Sequence, residues 1–222
     1  MKATITSLIF LLLSLTVSSQ TYKYIGIEEG LSNQKIYKIQ KDARGYMWFL
    51  THVGIDQYNG KEIKHYKLRE GNRELDPLLN INWTFLDKTG TLLVTGKQGR
   101  IFRYDSGHDR FVQIYNMYNY WNKDYHAFVR YSYIDQEDNV WLCGKSAIHL
   151  FNIESGQKQQ ISNRLGNITC IEQINSEHFF IGTDKRIYLA KLENGNLKEL
   201  SCGKRKYSIN SLVYWVTYVH NV

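Results

Sequence analysis

A repeat of 45 to 48 residues restricts this chain more than any other feature. The segment IQKDARGYMWFLTHVGIDQYNG at 39–60 returns as TFLDKTGTLLVTGKQGRIFRYDSG, which sets Asp87 against Asp42, Gly90 against Gly45 and Gly99 against Gly54, each 45 residues on. A third copy, YIDQEDNVWLCGKSAIHLFNIESG, sets Asp135 against Asp87 and Trp141 against Leu93, 48 residues on. A fourth, IEQINSEHFFIGTDKRIYLAKLENG, keeps the triplet Phe179-Phe180-Ile181 before Gly182, and a fifth starts at Ser208-Ile209-Asn210-Ser211-Leu212. A unit of this size cannot bury its apolar faces alone, so each copy must stack on its neighbours.

Within a copy the apolar residues fall in short runs and not at helical spacing: Ile36 and Ile39, Met47 to Leu50, Ile55 and Tyr58, Ile63 and Tyr66. This pattern predicts four short strands per copy. Asp42-Ala43-Arg44-Gly45 and Asp87-Lys88-Thr89-Gly90 have the form of type I turns, and Asn59-Gly60 is a hairpin signal. Further turns are expected at Gln136-Glu137 and Ser176-Glu177. Four antiparallel strands in such a period make a propeller blade. The expected fold is therefore all-β, a partial β-propeller of about four four-stranded antiparallel blades after an N-terminal signal peptide. Blade 1 is expected at about 31–67, blade 2 at 80–115, blade 3 at 126–161, blade 4 at 167–200, and the start of a fifth at 208–222. Because the fifth copy stops after about one strand, the chain reads as a truncated frame cut inside a blade of a larger ring, with adhesive open edges. The alternating stretch Tyr22 to Ile27 is expected to supply a ring-closing outer strand.

Residues 1–19 read as the signal peptide: Lys2, then a nearly unbroken apolar run from Leu8 to Val17, then Ser18-Ser19. The leader predicts export, which the resemblance below implies is to the periplasm. No later run reaches the roughly twenty apolar residues of a membrane span. Loss of Lys2 with the leader leaves 27 bases against 21 acids, a charge of +6. That balance is too mild for a nucleic-acid reader, which concentrates its bases in a patch, and export argues against such a partner. At 43% hydrophobic and 14% aromatic the chain is not disordered. Cys143 and Cys170 sit in apolar runs and read as small buried hydrophobes; with Cys202 they make an odd count.

Gly30-Leu31-Ser32-Asn33, followed by Ile36, Ile39, Asp42, Gly45, Trp48, Thr51, Gly54 and Tyr58, resembles the two-component regulator propeller repeat, GLSNxxVxxIxxDxxGxxWxGTxxGLxxYxG. Later copies are degenerate, with Leu93 at the Trp position and Asp138 at the turn Gly. The resemblance covers residues 22 to about 216. In that family such repeats build paired seven-bladed propellers in the periplasmic sensor half of hybrid two-component proteins of Bacteroidetes. It implies a sensor that binds oligosaccharides released from complex glycans, with the remaining blades and a kinase region as partners.

Candidate chemistry is sparse. Asp42, Asp87 and Asp135 recur in every well-kept copy, which marks a residue serving the blade and not a single catalytic pair. Trp48 and Trp141 occupy repeat positions and read as core. The seven His residues show no HExxH or other metal spacing, and neither GxSxG nor a Gly-rich phosphate loop occurs. No catalytic residue, metal or cofactor is expected. The turns leading into the first strand and those between the second and third strands should share one end of the ring. There they would gather His52, Lys97, Gln98, Lys145 and Arg186. The insertion at 115–126 should project to the same end, bringing Tyr118, Tyr120, Trp121 and Tyr125. Aromatic faces stack on sugar C–H surfaces while amides and charges take the hydroxyls, so these nine residues form the expected ligand site. The competing readings are a propeller-type polysaccharide lyase or glycosidase, and a secreted protein-interaction scaffold.

Overall fold

A computed structural model describes residues 22–120, 128–193 and 195–200. The expected signal peptide, the fifth copy, Cys202, Trp121 and Tyr125 lie outside the described residues. Four antiparallel sheets follow one another along the chain, each with its strands in sequence order. Blade 1 contains β1 (Ile36–Lys41), β2 (Met47–Thr51), β3 (Ile55–Tyr58) and β4 (Ile63–Tyr66). A small hairpin follows, β5 (Arg69–Glu70) with β6 (Arg73–Glu74), and then a single helical turn, α1 (Pro77–Asn80). Asp76 caps α1 by accepting the Leu78 N–H at 2.9 Å, and Pro77 at its start needs no partner for an N–H. Blade 2 contains β7 (Trp83–Leu86), β8 (Leu92–Thr95), β9 (Arg100–Asp105) and β10 (Arg110–Asn116), and a 3-10 turn closes it at Met117–Asn119. Blade 3 contains β11 (Tyr131–Ile134), β12 (Asn139–Cys143), β13 (Ala147–Asn152) and β14 (Lys158–Ser162). Blade 4 contains β15 (Ile168–Gln173), β16 (His178–Thr183), β17 (Ile187–Glu193) and β18 (Asn196–Leu200).

The first strands lie side by side, β1 against β7, β7 against β11 and β11 against β15, so they form the inner edge of a radial array. The core is correspondingly divided into one apolar layer per blade junction. Trp48, Leu50 and Ile55 meet Leu92, Val94 and Phe102 between blades 1 and 2. Leu93 and Ile101 meet Val140, Leu142 and Phe151 between blades 2 and 3. Trp141, Cys143 and Ile148 meet Ile171, Phe179 and Ile181 between blades 3 and 4. Alternation along each second strand decides this arrangement, since neighbouring residues point to opposite junctions. Trp48, Leu93 and Trp141 all point forward and are 0% exposed; Phe180, at the same place in blade 4, is 41% exposed.

The stretch expected to close the ring does not form a strand. Residues 22–25 have no regular structure, and 26–30 turn back over blade 1. Ser32 donates its N–H and its hydroxyl to Asp56 Oδ2, both at 2.8 Å, and the Lys23 ammonium lies 4.8 Å from the Tyr58 ring centre. Tyr22 to Ile27 pair with no strand among the described residues. Cys143 is buried, whereas Cys170 is only half-buried; neither is in a disulfide.

Candidate functional site

The two ends of the array are built differently. At one end, the turns between first and second strands hold the recurring aspartates. Asp42 Oδ1 accepts the N–H groups of Arg44 and Tyr46 at 2.9 and 3.0 Å, and its Oδ2 accepts the Trp48 indole N–H at 2.9 Å. Asp135 repeats this with Glu137, Asn139 and the Trp141 indole. In blade 2, where Leu93 replaces the Trp, Arg103 lies directly across the strands from Leu93 and donates Nε to Asp87 Oδ2 at 2.9 Å. Burial alone would raise the Asp87 pKa, but the bonds from Thr89 and Thr91 and the Arg103 charge lower it below the usual value. Each aspartate thus supports its own turn and a strand side chain of its own blade, the buried indole in blades 1 and 3 and the half-exposed Arg103 in blade 2.

The same turns tie each blade to the next. Ala43 donates its N–H to the Gly90 carbonyl, Lys88 to the Asp138 carboxylate at 3.1 Å, and Gln136 to Gln173 Oε1 at 2.6 Å. Asp138 occupies the left-handed turn position of Gly45 and Gly90, with φ of 61°. The apparent decay of the repeat at this position supplies an inter-blade acceptor.

The opposite end carries most of the expected ligand residues. His52 donates its N–H to the Lys35 carbonyl and holds the Tyr37 hydroxyl at 2.6 Å through Nδ1. Lys97 receives the Val129 N–H on its carbonyl at 2.8 Å, so blade 3 enters against the turn of blade 2. Gly96 makes this turn possible, because a Cβ there would sit 2.2 Å from the Asn80 Cα. Gln98 Oε1 is taken by Arg100 at 2.5 Å and by Asn80 at 3.3 Å, which commits its amide to the interior. Lys145 is exposed above a cavity of about 10 Å³ lined by Met117, Val129, Leu142 and His149. Burial lowers the His149 pKa to about 4, so that ring is neutral. Arg186 lies 4.9 Å from the Tyr188 ring and 3.9 Å from Glu199; the Tyr188 hydrogen bond, then these two charges, raises its pKa.

His52, Lys97, Gln98, Lys145 and Arg186 therefore share one end, on the turns between second and third strands of four successive blades. Tyr118 is half-buried against the apolar layer between blades 2 and 3. Tyr120, 53% exposed, stacks on Tyr115 of β10 and has the Lys158 ammonium 4.3 Å from its ring centre. Those partners belong to the outermost strands of blades 2 and 3. Trp121 and Tyr125 lie outside the described residues. Arg130 and Arg164, which no motif marks, enter the same end from the stretches leading into β11 and β15. Their signal was the lead-in position itself, which the degenerate copies obscure. An open cleft of about 320 Å³ between blades 3 and 4 is lined by Asn139, Asn152, Gln157, Lys158 and Gln159 over Leu150 and Leu192. No group of His, Cys, Asp or Glu among the described residues could hold a metal ion. No helix among them is long and apolar enough to cross a membrane.

Radial four-stranded sheets joined by apolar layers define a run of β-propeller blades. Within it, residues 30–52 match the family model of the two component regulator propeller. No curated protein matches the chain by sequence. Among solved structures, the chain resembles the extracellular domain of a hybrid two-component system of B. thetaiotaomicron, with TM-score 0.62 and 17% identity over 81% of this chain and 26% of that one. It also resembles the extracellular domain of a second such system from the same organism, with TM-score 0.56 and 17% identity over 85% of this chain and 24% of that one. PorZ, a surface component of the type-IX secretion system of Porphyromonas gingivalis, aligns with TM-score 0.52 and 9% identity over 76% of this chain and 21% of that one. The chain spans about a quarter of the length of these structures. At such identities the likeness is one of fold.

Proposed function

We propose that this chain is a ligand-sensing propeller region of a periplasmic two-component regulatory sensor, working with further blades and a kinase region. It binds a glycan-derived oligosaccharide and does not turn it over. One observation carries the reading. The regulator repeat at 30–52 begins in the lead-in to β1 and ends in the turn after β2. Those two segments build the end where His52, Lys97, Gln98, Lys145 and Arg186 gather. Backbone bonds from turn to lead-in hold that end in shape before any ligand arrives, which lowers the ordering cost of binding. Tyr118, Tyr120, Trp121 and Tyr125 complete the proposed site from the insertion.

Calorimetric titration of the chain with a panel of oligosaccharides tests this. Saturable binding without product is expected, and Trp121→Ala or Tyr120→Ala should each weaken it by more than about 1 kcal/mol. Unchanged affinity in both variants removes the insertion from the site, and product formation moves the chain to the glycosidase or lyase class.

A further inference from the structure

The charge of the ligand can be read from the same end, on the assumption that this end is the binding site. Five cationic residues lie on consecutive turns and lead-ins: Lys97, Arg130, Lys145, Arg164 and Lys185, all exposed. Short backbone links run between their segments. The Val129 N–H meets the Lys97 carbonyl at 2.8 Å, and the Arg130 N–H meets the Cys143 carbonyl, two residues before Lys145, at 2.8 Å. The Asn163 N–H, beside Arg164, meets the Ser146 carbonyl at 2.9 Å, and the Asp184 N–H, beside Lys185, meets the Asn167 carbonyl at 3.0 Å. The result is a continuous cationic track across blades 2, 3 and 4.

Acids offset the track only in part: Asp184 lies within it and the exposed Asp76 caps α1 beside the Lys97 turn, two acids against five bases. None of the five forms an ion pair among the described residues. Asp184, the acid within the track, has Oδ1 bound by the Asn167 N–H and Oδ2 by the Asn167 amide at 2.7 Å. The acids of the β5–β6 hairpin are matched locally, Glu74 by Lys67 and Glu70 by Arg73 and Arg100. The recurring turn acids Asp42, Asp87 and Asp135 lie at the far end of the strands. Like charges held along an ordered edge repel one another, and an opposite charge of matching extent relieves that repulsion. A single small anion cannot reach positions spread over three blades.

We propose that this track binds a linear polyanionic oligosaccharide, one carrying sulfate or uronate groups on successive sugars. The proposal assigns Arg130 and Arg164, outside the nine residues above, to ligand contact, and it requires the uncharged form of the same sugar to bind far more weakly.

The test compares maltohexaose, sulfated maltohexaose and the single-stranded oligonucleotide dT12 on the same chain by calorimetry, at 50 and 200 mM salt. Sulfated maltohexaose should bind, lose roughly a hundredfold in affinity between the two salts if about five charges are neutralised, and lose about tenfold in each of the double variants Lys97→Gln/Lys145→Gln and Arg130→Gln/Arg164→Gln. Lys61→Gln and Arg110→Gln, at the other end, should change nothing. All variants are surface substitutions, and an unchanged melting temperature checks the fold. Equal, salt-independent binding of maltohexaose and its sulfated form overturns the polyanion inference while leaving the oligosaccharide sensor standing. Absence of binding by either sugar overturns both. Binding of dT12 as tight as that of the sulfated sugar overturns the sugar class in favour of a general polyanion surface.

Discussion

Replacing Asp135 by Ala should destabilise the chain by about 3 kcal/mol, although Asp135 touches no proposed ligand residue. The carboxylate is 5% exposed and accepts the Trp141 indole N–H at 2.9 Å, the N–H groups of Glu137 and Asn139, and the Asn139 side-chain amide. Trp141 is 0% exposed at the junction of blades 3 and 4, so water cannot replace the lost acceptor. A stranded buried donor costs about 1–3 kcal/mol. The turn amides lie nearer the surface, and losing their side-chain acceptor resembles loss of a helix cap, roughly 1 kcal/mol. The sum is a large share of the 5–15 kcal/mol typical of a domain. Equilibrium urea unfolding followed by far-ultraviolet circular dichroism gives the number. A cycle with Trp141→Phe, which removes the donor, isolates the pair, and about 1–2 kcal/mol of coupling is expected. A cost below about 0.5 kcal/mol for Asp135→Ala, the scale of an indifferent surface change, or strict additivity in the cycle, would refute the reasoning.

Gly90→Ala should be costly for two reasons that act together: φ there is +73°, and the new Cβ would lie 2.3 Å from the Ala43 Cβ across the blade junction. A loss of about 2 kcal/mol is expected in the same unfolding assay, and Gly60→Ala, also at positive φ but with nothing within 4 Å, should cost less. His149 is neutral when folded, with a pKa near 4 against 6.5 for the free side chain. The unfolded chain therefore takes up a proton that the folded one refuses, and stability falls as pH drops from 6.5 to about 4, by roughly 3 kcal/mol in all. Denaturation midpoints between pH 7 and 4.5 should show that slope, and His149→Leu should flatten it. Phe180→Glu, on the forward face of blade 4, should reduce self-association in size-exclusion chromatography, because Phe180 is 41% exposed where its counterparts are 0%. An unchanged elution profile in an associating sample would show that this face is not the contact.

Repeat spacing and period-two patterning were enough to anticipate four sheets of four strands, because both depend only on which residues alternate along a short run. The turn aspartates were legible as structural for the same reason: recurrence at one position in each copy. The indole bonds to Asp42 and Asp135 were not legible, since they join residues six apart through a turn whose geometry forms only in the folded blade. Arg103 in place of the missing Trp was still less so, because it reaches Asp87 from the neighbouring strand. Tyr22 to Ile27 pair with no described strand, since alternation shows that a segment can pair and leaves open which edge would receive it.

The candidate site divides along the same line. Strand order alone placed His52, Lys97, Gln98, Lys145 and Arg186 at one end, because in an up-and-down sheet alternate turns must share an end. Their individual states came from tertiary contacts: Gln98 is drawn inward by Arg100, Arg186 is held by Tyr188 and Glu199, and Tyr120 lies on Tyr115 beneath Lys158. The cationic track is the plainest case. Arg130 and Arg164 are unremarkable in the linear sequence, and only the hydrogen bonds between lead-in and turn bring them into line with Lys97, Lys145 and Lys185. Local pattern determined the blades. Contacts between blades, which no local pattern encodes, decided which side chains can act together.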